Sequence, residues 1–124
     1  MWPTEIVPDE GFLFMRVHKN MIKDGKPSMS VFVNHGAGMS TDWEKYSTPE
    51  QTAGRGRGSP ENYGVVGMLT GDVRQVPGQS VVHTPKDENR ARTDVAGVKE
   101  EEARMKLRRT ADWAIHCPLF TQAS

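Results

Sequence analysis

Residues 100–115 read Glu-Glu-Glu-Ala-Arg-Met-Lys-Leu-Arg-Arg-Thr-Ala-Asp-Trp-Ala-Ile, and this stretch decides the fold class. Ala103, Leu107, Ala111 and either Ala114 or Ile115 recur at helical spacing, which makes one apolar stripe. Glu100–Arg104 and Glu102–Lys106 are i,i+4 pairs in the favoured order. Acids fill the first turn and bases the later ones, as the helix dipole prefers. Pro118 follows as a stop signal. The pattern predicts a C-terminal amphipathic helix over residues 100–115.

Upstream of it the chain reads as short strands and turns. Phe12–His18 (Phe-Leu-Phe-Met-Arg-Val-His) is too brief for a good helix and rich in strand formers. Alternation sets Leu13, Met15 and Val17 on one face and Phe12, Phe14, Arg16 and His18 on the other. Met29–Val33, Tyr63–Leu69, Asp72–Val76, Gln79–His83 and Arg92–Val98 are further strand candidates. Pro77-Gly78 suits a type II turn, and residues 63–83 read as an antiparallel meander. Residues 34–60 are punctuated by Gly36, Gly38, Gly54, Gly56, Gly58, Pro49 and Pro60 and read as a long Gly/Pro-rich loop. A brief helix start is expected within it at Ser47-Thr48-Pro49-Glu50. Strands first and one long helix last predict a single α+β domain over residues 1–124, the helix covering one face of a small antiparallel sheet.

The 124 residues carry 16 Lys+Arg and 16 Asp+Glu, a formal charge of zero that argues against a generic polyanion binder. The basic run Arg104, Lys106, Arg108 and Arg109 follows directly on Glu100, Glu101 and Glu102, so the charge is balanced locally. No secretory leader is apparent in the first ten residues. No apolar run approaches the roughly 18 to 20 residues of a membrane helix. The single cysteine, Cys117, allows no intrachain disulfide and no thiolate zinc site. These features lead us to expect a cytoplasmic protein with no membrane partner.

Sequence motifs exclude several chemistries. Asn34-His35-Gly36-Ala37-Gly38 matches neither phosphate-loop spacing, and no G-x-S-x-G elbow is present. The four histidines His18, His35, His83 and His116 form no close ligand pair, so neither metal nor cofactor is expected. Gly54-Arg55-Gly56-Arg57-Gly58 is a short RG repeat, read as a loop with two solvated arginines.

The densest polar cluster runs from His83 to Lys99. His83-Thr84-Pro85, Asn89-Arg90-Ala91, Thr93-Asp94-Val95, Gly97 and Lys99, together with Asp24-Gly25-Lys26-Pro27-Ser28 and Met39-Ser40-Thr41-Asp42-Trp43, resemble a group of small uncharacterised bacterial proteins. The likeness spans residues 12–113 and implies a compact bacterial domain, with no activity, cofactor or catalytic residue to carry over. Position 92 departs from the group's pattern, with arginine where that pattern has histidine.

These residues suggest a binding or accessory module for a protein partner or a small anionic ligand. The expected site comprises Arg16, His18, His83, Asn89, Arg90, Arg92 and Asp94, which assumes that the first strand lies beside the strand ending at His83. The alternative is a metal-independent nuclease or phosphotransfer enzyme, with His83 as general base and Arg90 or Arg92 stabilising the anionic transition state. A further alternative is a nucleic-acid binder using Arg55, Arg57 and the 104–109 run.

Overall fold

The apolar alternation of Phe12–His18 folds into β1, an interior strand of the main sheet. The computed structural model describes residues 1–119. A two-stranded hairpin, β2 (Ile22–Lys23) and β3 (Lys26–Pro27), turns on Asp24 and Gly25, both at positive φ. The chain continues through β4 (Met39–Trp43), α1 (Pro49–Gly54), β5 (Tyr63–Leu69), α2 (Thr70–Gln75), β6 (Ser80–His83), β7 (Arg92–Ala96), α3 (Glu101–Thr110) and β8 (Ala111–Ile115). Six strands form one sheet in the order β6-β7-β4-β1-β5-β8, and every neighbouring pair is antiparallel.

Register assigns each side chain to a face. Leu13, Met15 and Val17 of β1, Met39 and Trp43 of β4, Val66 and Met68 of β5 and Val95 of β7 enter one hydrophobic core. Val73 of α2, Leu107 of α3, Val7, Ile22 and Phe32 pack onto that side. The opposite face is covered only in part. Ala53 of α1 packs there on Phe14 and Val65, with Ile115 at the margin. α1 begins with a reciprocal cap, in which the Thr48 hydroxyl accepts from the Gln51 N–H and the Gln51 side chain accepts from the Thr48 N–H.

Several expectations need correction. The C-terminal helix ends at Thr110, whose hydroxyl donates to the Leu107 carbonyl, and residues 111–115 pair with β5 as a strand. Ala111, Trp113 and Ile115 are half-buried while Asp112 and Ala114 are exposed, a period of two. Residues 72–75 belong to α2, and Val76, which closes it with an extended backbone, enters the core beside Val73. The meander therefore does not form, and β5 and β6 lie four positions apart in the sheet. Met29–Val31 is a single 3-10 turn. The 34–60 segment holds β4 and α1, and Asn34 is anchored by its side-chain bond to the Gly97 carbonyl. Lys99 donates to that asparagine and to the Val95 and Gly97 carbonyls, and its burial pushes the ammonium below the usual lysine range.

Candidate anion-binding cavity

The half of the sheet left uncovered by α1 carries polar side chains at alternate positions. Arg16 and His18 of β1, Ser40 and Asp42 of β4, and Arg92 and Asp94 of β7 all fall on this face by register. A cavity of about 830 Å³ opens there. Its lining includes five cationic side chains (Arg16, Arg55, Arg57, Lys86 and Arg92) and two carboxylates (Asp42 and Glu88). His18, His35, Ser40, Tyr63 and Asn89 add further polar groups, while Met21, Val31, Val33 and Met39 supply an apolar side.

Asp42 is the organising residue. It is 4% exposed, and its Oδ2 accepts from the Thr52 hydroxyl and from Arg55 Nη1, both at 2.8 Å. Its Oδ1 accepts from Asn89 Nδ2 at 2.8 Å. Ser47 completes the cluster by accepting from Arg55 Nη1 and bonding the Thr52 hydroxyl. One buried carboxylate thus ties β4 to α1 and to the turn that carries Asn89. Its charge is already matched by Arg55, so it does not offset the other cations.

The remaining arginines are steadied from behind. Arg16 Nη1 donates to the Thr52 carbonyl at 3.1 Å, and Arg92 Nη2 donates to Asp94 at 3.4 Å. The Arg55–Arg57 strap crosses the Tyr63 ring, and the Tyr63 hydroxyl donates to the Arg57 carbonyl at 2.9 Å. A side chain at position 56 would force a shift here, since an added Cβ would lie 2.6 Å from two Tyr63 ring carbons and 3.0 Å from Arg16 Cδ. His18 Nδ1 accepts from the Asn20 N–H, which assigns the proton to Nε2 and makes the ring a donor.

The seven residues expected as a site divide. Arg16, His18, Asn89 and Arg92 line the cavity, and Asp94 adjoins it through Arg92. The shared site with His83 is corrected. β7 and β4 stand between β1 and β6, and register puts His83 on the core face. His83 is 2% exposed; its Nδ1 accepts from the Glu5 N–H at 3.0 Å and its Nε2 donates to the Arg90 carbonyl at 2.7 Å. Both nitrogens are committed to main chain, which removes His83 as a general base. Arg90 belongs to the same staple. Its guanidinium lies over the rings of Trp2 and Tyr46, 4.4 and 4.0 Å from their centroids. Glu5 accepts there from Lys45 and from the Tyr46 hydroxyl, and these two bonds hold its carboxyl below the usual range.

Sequence reading missed Asp42, Arg55, Arg57 and Lys86 as cavity residues. The available signal was the alternation Ser40, Asp42 against Met39, Thr41, Trp43, a strand hidden by the polar Thr41 in the core.

The nucleic-acid footprint also separates. Arg55 and Arg57 lie on the face covered by α1, whereas α3 with Arg104–Arg109 packs on the core face. Lys106 pairs with Glu102, and Arg108 Nε donates to the Pro27 carbonyl. Among the described residues no group of three or more His, Cys, Asp or Glu side chains is arranged to hold a metal ion. No described helix is long and apolar enough to cross a membrane. No family model, curated protein or solved structure matches the chain.

Proposed function

We propose that this domain is a binding module for an anionic ligand, with phosphate or carboxylate groups held in the cavity beside Asp42. The observation that carries the reading is charge segregation: with Arg55 paired to Asp42 and Arg92 to Asp94, the cations Arg16, Arg57 and Lys86 face one further carboxylate, Glu88, in one cavity of a chain with zero net charge. Guanidinium groups fixed by protein acceptors lose little freedom on meeting an oxyanion, which favours binding. Binding is favoured over catalysis because His18 enters as an N–H donor and His83 is enclosed. The fitting ligand joins an anionic part, for the arginines, to an apolar part, for Met21, Val31 and Val33.

Calorimetric titration with inorganic pyrophosphate tests the reading. Wild type is expected to bind with an affinity that weakens as salt rises. Arg16→Ala and Arg92→Ala are each expected to weaken it about tenfold, the scale of one charge-assisted hydrogen bond. Wild-type affinity in both variants would place the anion elsewhere and refute the assignment.

A further inference from the structure

β1 and β4 are ladder partners at one end only. Their pairing covers Leu13↔Trp43 and Phe14↔Asp42 and then stops. β1 nevertheless stays paired with β5 as far as His18, and β4 with β7 as far as Met39. The two strands therefore part company inside the sheet, and the residues beyond the fork, Arg16 and Ser40 among them, line the cavity.

Main-chain direction follows from the neighbouring bonds, because alternate residues of an antiparallel strand aim their N–H and C=O groups the same way. On β1, the Phe12 N–H donates to the Glu44 carboxylate at 2.8 Å and the Phe12 carbonyl accepts from the Glu44 N–H at 3.0 Å. Phe12, Phe14 and Arg16 consequently aim toward β4. On β4, the Trp43 N–H donates to the Ala91 carbonyl at 2.8 Å, on the β7 side, so Asp42 and Ser40 aim toward β1. Phe14 and Asp42 satisfy each other. Past them, the N–H and C=O groups of Arg16 and Ser40 face across the fork, beyond the end of the β1–β4 ladder.

Such groups are met by water in an open site, or by an occupant that offers donors and acceptors along an extended backbone. The two sides of the fork differ in character. Val17 and Met21 lie toward the core side, and Arg55 and Arg92 toward the other. A strand lying in the fork would alternate its side chains between these two environments.

We propose that the cavity receives an extended acidic segment of a partner protein, with apolar and acidic residues in alternation, whose main chain pairs with Arg16 and Ser40. This inference rests on the anion-binding reading and adds the class of ligand. Charge complementarity selects the acidic residues, and the forked strand edges select a peptide backbone.

The test uses the whole protein and a fluorescein-labelled octapeptide of alternating valine and glutamate, read by fluorescence anisotropy. A second peptide has the same sequence with its central amides N-methylated, and inorganic pyrophosphate is titrated separately. Saturable binding of the first peptide, weakened about tenfold or more by N-methylation, is the expected result. Equal affinity for both peptides would overturn main-chain pairing. Binding of pyrophosphate without binding of the peptide would overturn the peptide inference and leave the anion-binding reading standing. Binding of neither would overturn both.

Discussion

Asp42 and Asn89 are 47 residues apart in the chain, and Asn89 Nδ2 donates to Asp42 Oδ1 at 2.8 Å. The opposite oxygen of the same carboxylate takes Arg55 and Thr52. A single side chain therefore sets the separation of two cavity walls, one carrying Arg55 and the other carrying Asn89 and Arg92. This is why a carboxylate belongs in a cation-rich cavity.

Replacing it tests that role. Asp42→Asn keeps the shape but removes the charge that meets Arg55 and turns one acceptor into a donor. Loss of a charged hydrogen-bond partner at a buried site costs about 2–3 kcal/mol. Urea denaturation is expected to show a loss of that size, and a variant as stable as wild type would contradict the role.

The Arg55–Arg57 strap depends on Gly56. In Gly56→Ala the new methyl meets the Tyr63 ring, which is bonded to the Arg57 carbonyl, so ring and strap are pushed apart and the arginines beside them are displaced. Overpacking of this kind costs about 1–3 kcal/mol. Pyrophosphate affinity is expected to fall along with thermal stability, and unchanged affinity would dissociate the strap from the site.

His83 should matter for folding and not for binding. His83→Ala strands the Glu5 N–H and the Arg90 carbonyl without partners and leaves a void beside Trp43. The expected loss is about 2–5 kcal/mol. Pyrophosphate affinity, measured at a temperature where the variant remains folded, should match wild type.

The Glu5 staple gives a pH dependence of definite sign. Hydrogen bonds from Lys45 and Tyr46 lower the folded-state pKa of Glu5 below its unfolded value. The contribution is therefore fully present above the ordinary glutamate value of 4.5 and is lost as pH falls through the lowered folded value. Melting curves of wild type and Glu5→Gln should differ near neutrality and converge in acid. A gap that widens on acidification would contradict the staple.

The strands β1 and β5 were legible because their apolar runs are short, bounded by turns and rich in strand formers. The alternation within β1 also separated its core face from the face bearing Arg16 and His18. β8 was not legible, since Ala111 and Ile115 extend the helical stripe of Ala103 and Leu107 as well as they fit a strand. No glycine or proline marks the switch at Thr110; only the tertiary pairing with β5 decides it. β4 was hidden for the opposite reason: its core residue Thr41 is polar, satisfied by the Thr93 carbonyl at 2.8 Å. The site itself was half legible. Alternation gave Arg16 and His18 a common face, but the position of His83 depends on strand order, which local patterns do not carry.

If an anion occupies the cavity beside Asp42, amide-resolved nuclear magnetic resonance during a pyrophosphate titration will show where it sits. The expected result is saturable shifts centred on Arg16, Ser40, Arg55, Asn89 and Arg92, with the α3 residues Arg104–Arg109 unmoved. Shifts centred on α3, or none at all at low salt, would contradict it.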